Sequence, residues 1–192
     1  WGSNMFHFSI IFLFFGHFVG LLTPHWAYEW FIDPGTKQRL AVIAGGIAGA
    51  FCFVGLSLLL HRRLFDARIR RTSTMIDIVI LALLWVQLVL GLITLPYSLG
   101  HSDGSAMLAL SGWAQSIVTF RAGAADLVRG LDLPFHLHLV LGMTLFLVTP
   151  FSRLVHIFSA PVWYLFRSWQ IVRVRGGATR RPDPVQGPGA AE

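Results

Sequence analysis

The stretch NMFHFSIIFLFFGHFVGLL, residues 4–22, decides the fold of this chain. It carries no Asp, Glu, Lys or Arg, and it reaches the roughly 18 apolar residues that a helix needs to cross a bilayer. Thr23 and Pro24 follow it, and a proline disfavours helical backbone in the residue before it. The stretch therefore predicts a transmembrane helix that carries two histidines, His7 and His17.

Three more apolar stretches have the length of a membrane-spanning helix, namely residues 40–60, 75–95 and 135–158. The second span is rich in glycine and alanine, and small residues let neighbouring helices approach closely. Pro96 predicts the end of the third span, and residues 108–120 predict a helix at the membrane interface. The sequence thus predicts an all-α fold, a transmembrane bundle with four spanning helices, in one membrane domain of residues 1–175.

The composition agrees with a membrane protein. Of 192 residues, 55% are hydrophobic and only 12% are charged, whereas soluble domains carry about 25% charged residues. The net charge of +6 does not indicate nucleic acid binding, because the basic residues cluster between and after the spans. The single cysteine, Cys52, excludes an intrachain disulfide, a cysteine cluster and a CxxCH haem attachment.

The charged residues predict the orientation of the spans. Five arginines and one acid lie in residues 61–74, which are therefore expected in the cytoplasm, whereas the connection before the fourth span is nearly balanced in charge. The C-terminal tail is again basic and cytoplasmic, and residues 176–192 have the composition of a disordered segment. The tail arginines are Arg167, Arg173, Arg175, Arg180 and Arg181.

Four histidines lie in the first and fourth spans, and this topology sorts them by depth. His7 and His156 fall near the cytoplasmic ends, and His17 and His138 fall toward the outer side. An ionisable residue within a membrane span is a functional hypothesis by default. Two histidines from two helices at each depth predict two metal cofactors, each held by one histidine from each helix. Noncovalent b haem, which takes two axial ligands, is the candidate that survives the cysteine count.

Helical periodicity refines these pairs. At about 100° per residue, a continuous fourth helix places His138 and His156 on one face and His136 on the other, which favours His138 as the ligand. The spacing between the two histidines differs from one helix to the other. The rise is about 15 Å from His7 to His17 and about 27 Å from His138 to His156, so a tilt or a kink is required. Pro150 is one cause of a kink.

Two further expectations follow for the haems. The angle between His7 and His17, about 80° around the helix, predicts haems set obliquely in the bundle. Haem propionates require cations, and the candidates on the inner side are Arg62, Arg63 and Arg153.

Four stretches carry a resemblance to a known family: GHFVGLLTPHWAYE, HRRLF, GWAQSIVTF and HLVLGMTLFLVTPFSRLVHI. They resemble the gamma subunit of membrane-bound respiratory nitrate reductase, a dihaem cytochrome b that oxidises quinol. The resemblance extends to about Arg175. The family has one more membrane helix ahead of the span that carries His7. We expect that this sequence lacks it through truncation, as its start at Trp1 also indicates.

The resemblance implies a function for each part of the site. His7 and His156 would ligate the proximal haem, and His17 and His138 the distal haem. Lys37 would donate a hydrogen bond to quinol beside the distal haem, and Gly16 would belong to the same site. Electrons would pass from quinol through the distal and then the proximal haem.

The resemblance also implies a complex and a location. An iron–sulfur beta subunit and a molybdenum-containing alpha subunit would receive the electrons, and no residue of this chain would itself reduce nitrate. The location would be the inner (plasma) membrane of a bacterium or archaeon, where the chain is multi-pass with a cytoplasmic C-terminus.

Alternatives remain at this level. The chain could be the dihaem subunit of another quinone-linked oxidoreductase. It could instead be a transporter or channel whose histidines relay protons, with Asp77 and Gln87 as further polar candidates. A membrane anchor without a cofactor is the third possibility.

Overall fold

The computed structural model of the chain describes residues 1–101 and 103–157. The chain divides into two compact units, Trp1–Val155 and His156–Glu192. Of the second unit only His156 and Ile157 are described. The predicted disordered tail, its arginines and the predicted span end at residue 158 lie outside the described residues.

The described residues form helices and no strand, which confirms the all-α fold. The helices are α1 (Gly2–Leu22), α2 (Pro34–Phe65), α3 (Ala67–Arg71), α4 (Met75–Gly100), α5 (Ser105–Val118), α6 (Ala124–Val128) and α7 (Leu133–Val148). Short 3-10 turns cover His25–Ala27, Thr149–Phe151 and Arg153–Ile157. Four of the helical segments are long and apolar enough to cross a membrane: Gly2–Leu22, Pro34–Phe65, Met75–Gly100 and Leu133–Phe151.

Two helix ends differ from the expected ones. α2 begins at Pro34, six residues before the apolar stretch, because Asp33 caps it: the Asp33 carboxylate accepts a hydrogen bond from the Thr36 N–H at 2.7 Å. α4 continues through Pro96 to Gly100, so the prediction that Pro96 ends this helix was wrong. Proline is tolerated inside membrane helices, where neighbouring groups satisfy the backbone that it leaves unpaired.

The C-terminal end of α7 shows that the fourth span is not one continuous helix as far as His156. Regular α-helix stops at Val148, a 3-10 turn follows over Thr149–Phe151, and Ser152 is extended. Pro150 supplies the reason, because its ring cannot continue the helical hydrogen bonding. His156 therefore lies in a separate 3-10 turn. The periodicity argument that ran from His138 to His156 along one continuous helix was wrong.

Close helix contacts confirm the predicted tight packing of the second span. A side chain at Gly55 would stand 2.6 Å from the Phe6 backbone nitrogen of α1, and one at Gly49 would stand 2.7 Å from the side chain of Leu92 on α4. Extensive packing joins α1 to α2, α2 to α4, and α4 to α7. Among residues 1–155, α1 and α7 are not packed extensively on each other.

The ends of α4 are held by polar contacts. Thr74 and Asp77 form a capping box at its start. At the other end, the buried Gln38 of α2 donates to the carbonyls of Ser98 and His101, and its oxygen accepts from the Met107 N–H of α5. α2, α4 and α5 are thereby fixed together at one end of the bundle, close to Lys37.

Candidate functional site

The rings of His17 and His138 meet between α1 and α7. Their centroids are 6.2 Å apart and their planes are inclined by 39°. His17 lies near the end of α1 and His138 near the start of α7. The structure therefore brings together the two histidines that the sequence pairs on the outer side, in a place where their helices do not pack extensively.

Local hydrogen bonds orient both rings. The Nδ1 atom of His17 lies 2.7 Å from the Leu13 carbonyl, and Nδ1 of His138 lies 3.1 Å from the Gln87 carbonyl. A protonated Nδ1 that donates to a carbonyl leaves the lone pair of Nε2 for a metal. His101 and His136 make similar contacts with carbonyls of their own helices, so the contact is compatible with ligation but is not specific for it.

The spacing of the two rings fits an iron held between two imidazoles. At about 2 Å for each bond between a metal ion and an imidazole nitrogen, two rings on opposite sides of the ion have centroids about 6 Å apart. The separation of 6.2 Å between His17 and His138 matches this value. Residues 1–101 and 103–157 contain no cluster of three or more histidine, cysteine or acidic residues that could hold a metal ion instead.

His138 is tightly enclosed by α4, and this distinguishes it from His136. A side chain at Gly91 would stand 2.9 Å from Cε1 of His138, so the imidazole occupies the space over that glycine. The Gln87 amide nitrogen lies 3.0 Å from the His138 carbonyl oxygen. His136 instead contacts Asp132 of its own segment. These contacts distinguish His138 from His136, and the assignment of His138 as a ligand stays a prediction.

The two histidines of the predicted inner pair lie in different units of the chain. His7 lies in the second turn of α1, where its Nδ1 atom is 2.7 Å from the Ser3 carbonyl. This is the same contact that His17 makes with Leu13. His156 lies in the 3-10 turn Arg153–Ile157, in the second unit of the chain. The predicted pairing of His7 with His156 and the oblique setting of the haems stay predictions.

Lys37 is held one helical turn beyond His17, at the end of the bundle that the sequence predicts to be the outer one. Its ammonium group donates to the Gly20 carbonyl at 3.1 Å and lies 3.8 Å from the centre of the Tyr28 ring. Gly20 follows His17 by three residues, which is about 4.5 Å of helix rise. Lys37 belongs to the first turns of α2 and is half-buried, so it is not an ordinary loop cation.

Tyr28, whose ring lies against Lys37, is buried, with only 3% of it exposed. Its hydroxyl has no hydrogen-bond partner among the described residues. Burial raises the pKa of the Tyr28 phenol, and the charge of Glu29 adds to this effect. The phenol is therefore a neutral donor beside Lys37.

Gly16 lies next to His17 on an exposed part of α1. A side chain at this position would meet no described atom within 4 Å. Nothing within the described residues therefore requires glycine here. Open space beside His17 is what a site for a bound molecule needs.

The end of the bundle that is predicted to be the inner one contains a buried carboxylate between two arginines. Asp77 is only 3% exposed at its side chain, and it lies 2.8 Å from Nε of Arg153 and 3.9 Å from Nη1 of Arg63. A buried carboxylate requires such partners. Asp77 therefore caps α4 and binds arginine, which accounts for its presence without a proton relay.

Gln87 and Gly91 are the site residues that sequence reasoning missed. Gln87 entered only as a polar candidate of the proton-relay alternative. A signal was available: Gln87 and Gly91 lie four residues apart in a mostly apolar span, and His138 and Gly142 repeat that spacing. Side chains four residues apart share a helix face, so each polar residue has a glycine beside it.

Comparisons with known proteins identify the family of the chain. The family model described as nitrate reductase gamma subunit matches residues 1–175. The respiratory nitrate reductase 1 gamma chain of Escherichia coli (strain K12) is 56% identical over 173 residues, which cover 90% of this chain and 77% of the relative.

Two other relatives extend the comparison. The respiratory nitrate reductase 2 gamma chain of the same strain is 53% identical over 90% of this chain and 76% of its own length. The nitrate reductase gamma chain of Bacillus subtilis (strain 168) is 36% identical over 91% of this chain and 78% of its own length. The chain therefore belongs to the nitrate reductase gamma subunit family.

Proposed function

We propose that this membrane subunit of respiratory nitrate reductase oxidises quinol and binds two b haems. The observation that carries the proposal is the approach of His17 and His138, whose ring centroids are 6.2 Å apart between two helices that are not packed extensively on each other. When bound, the two haems would carry single electrons across the membrane. The chain's own residues would hold the haems and position the quinol.

His17 and His138 would hold the distal haem. Both Nδ1 atoms face backbone carbonyls, so both Nε2 atoms can bind iron. The ring of His138 has little freedom because it lies against Gly91. This haem site is consequently largely shaped before the cofactor binds.

His7 and His156 would hold the proximal haem. His7 has the same local geometry as His17, with its Nδ1 atom at a backbone carbonyl four residues earlier. Arg63 is a candidate partner for a propionate of this haem. The 3.9 Å between Arg63 and Asp77 is longer than a hydrogen bond, so the Asp77 contact does not occupy the guanidinium donors tightly.

Quinol binds beside the distal haem, with Lys37 as a donor to a quinone oxygen and Gly16 as the open position. The Lys37 ammonium lies one turn from His17, where the Gly20 carbonyl and the Tyr28 ring hold it. Oxidation of one quinol releases two electrons and two protons. The protons leave to the outer side, whereas the electrons move toward the inner one, and separation of one charge across 100 mV is worth roughly 2.3 kcal/mol.

The electrons would be delivered to an iron–sulfur beta subunit and then to a molybdenum-containing alpha subunit, which reduces nitrate. The beta subunit would dock on the arginine-rich cytoplasmic side. Such an orientation puts the C-terminus in the cytoplasm of a bacterium or archaeon, with the chain in the inner membrane.

The alternatives have less support. The relatives are gamma chains of nitrate reductases, which does not favour an oxidoreductase with another terminal acceptor. A proton relay would need titratable groups in sequence through the membrane. Asp77 is instead engaged by two arginines, and Gln87 is hydrogen-bonded to His138.

The experiment uses the complete complex in membranes. We expect a reduced-minus-oxidised b-type spectrum and two haems per gamma chain. Lys37→Ala should slow haem reduction by quinol without changing haem content, because the donor to quinol is lost. Arg39→Ala is the matched control, since it removes a nearby exposed cation that contacts Thr36. Absence of a b-type spectrum, or equal kinetics of Lys37→Ala and wild type, would contradict the proposal.

A further inference from the structure

The contact between α4 and α7 is built from two residues that bind each other twice. The side-chain amide of Gln87 lies 3.0 Å from the His138 carbonyl oxygen, and the Nδ1 atom of His138 lies 3.1 Å from the Gln87 carbonyl oxygen. Each residue thus uses its side chain to bind the other residue's backbone. The two bonds fix the register of the helices and the orientation of the imidazole at once.

Two glycines make this reciprocal contact possible. A side chain at Gly91 would stand 2.9 Å from the ring of His138, and one at Gly142 would stand 3.0 Å from the Gln87 amide nitrogen. Each glycine lies four residues after the polar residue of its own helix, and so on the same face. The ring packs on one helix backbone and the amide on the other.

The Gln87 side chain has a further property that a purely structural clamp does not need. Its Oε1 atom is buried and has no hydrogen-bond partner among the described residues. Leaving a buried acceptor unpaired costs about 1–3 kcal/mol. Its amide nitrogen also lies 3.5 Å from Nε2 of His138, the ring nitrogen that does not contact the Gln87 carbonyl. A polar group retained at such a cost beside a metal ligand indicates a role at that ligand.

We propose that Gln87 is a positioning residue that sets the tautomer and the ring plane of His138 as an axial ligand of the outer haem. The inference rests on the proposed function, because it assumes that His138 binds iron. Hydrogen bonds to the second nitrogen of a metal-bound histidine fix its orientation and raise its basicity. The bond to Nδ1 comes from the Gln87 backbone carbonyl, so the Gln87 side chain acts on it indirectly, because its bond to the His138 carbonyl holds the two helices in register. A more basic ligand favours the oxidised iron, so holding the Nδ1 contact in place lowers the reduction potential of the outer haem, and loss of the side-chain amide would loosen that contact.

Gln87→Leu tests the proposal, because it removes the amide at nearly constant size. In the complete complex we expect the outer haem to be retained or weakened, its low-spin electron paramagnetic resonance signal to shift, and its midpoint potential to rise. The inner haem should keep its signal and its potential. Ser57→Ala is the control, since it removes another interhelical hydrogen bond to α4, from Trp85 at 2.9 Å, without touching His138.

Selective loss of the outer haem in Gln87→Leu would also support the proposal. Unchanged signals and potentials, or changes equal to those of Ser57→Ala, would overturn it. If Gln87→Leu does not accumulate, Gly142→Ala displaces the same amide by steric contact and should shift the same signal. Failure of the proposed function would give a different result, because His138→Ala would then remove no haem that is present in the wild-type complex.

Discussion

The two ends of α1 carry histidines with the same local geometry but with different surroundings. At the outer end, His17 faces His138, which lies within regular helix and is enclosed by Gln87 and Gly91 of α4. At the inner end, the assigned partner of His7 lies beyond Pro150 in a 3-10 turn. Helix register therefore positions His138, whereas it cannot position His156. In the proposed function, the outer site is thus shaped by packing and the inner site depends on a turn.

The largest expected effects come from removing one histidine of α1 at a time. His17→Ala and His7→Ala should each leave one haem per chain, but the two remaining haems should differ in whether quinol reduces them. Quinol should no longer reduce the haem that remains in His17→Ala, because the electron entry is lost. In His7→Ala the outer haem should still be reduced. Haem assays and spectra with quinol or dithionite measure this.

His136→Ala is the control for these variants and should keep both haems. Loss of the same haem in both α1 variants would break the distinction between an outer and an inner site.

The next effect concerns the backbone contact near the inner end. Gly55→Ala would place a methyl group 2.6 Å from the Phe6 backbone nitrogen, and such overpacking costs about 1–3 kcal/mol. We expect a lower unfolding temperature and loss of the inner haem before the outer one, because Phe6 adjoins His7. Gly45→Ala makes the same exchange on α2 where no described atom lies within 4 Å. Equal stability of the two variants would show that α1 and α2 do not need this approach.

A smaller effect is expected at the outer end from Gly16→Ala. The new methyl group meets no described atom within 4 Å, so stability and haem content should remain unchanged. It would occupy the space proposed for quinol, and haem reduction by quinol should slow severalfold. Stopped-flow absorbance measures the rate. Wild-type kinetics would place the quinol elsewhere.

The smallest effect is expected at the cap that starts α2 four residues before Lys37. The side chain and the backbone N–H of Thr36 hold the pKa of Asp33 below its usual range. Because the pKa is lowered in the folded state, the stabilisation is present above the usual pKa and is lost as the pH falls through the lowered value. Asp33→Ala should therefore lower the unfolding temperature slightly at neutral pH and less in acid. An asparagine would cap the helix without titrating, so Asp33→Asn should lack this pH dependence.

Much of the outer site could be predicted from the sequence. Apolar length placed four spans, and the alternating direction of the spans placed His17 and His138 at one depth. The start of α2 was missed although Asp33 and Pro34 form a standard cap, because the apolar stretch alone was used to mark the span. A helix end was predicted at Pro96 because proline usually ends helices in soluble proteins, whereas membrane helices tolerate it.

The remaining errors concern the end of α7 and the relative register of neighbouring helices. The break of α7 after Val148 removed the periodicity argument, so the preference for His138 over His136 now depends on the contacts that His138 makes with α4. The bonds between Gln87 and His138 depend on the relative register of two helices, and hydropathy carries no information on register. In the sequence, this contact was indicated only by the glycine that follows a polar residue by four positions on each helix.

The length of α2 links the chain to the thickness of its membrane. Its 32 residues correspond to about 48 Å at 1.5 Å per residue, whereas the hydrocarbon layer of a bilayer is about 30 Å thick. Lys37 and Arg63 stand about 39 Å apart along this axis, so each can reach a headgroup layer if the helix is modestly tilted. A thinner bilayer would increase the tilt, or draw one charge away from its layer. Lipid chain length should therefore change the depth at which Lys37 is presented.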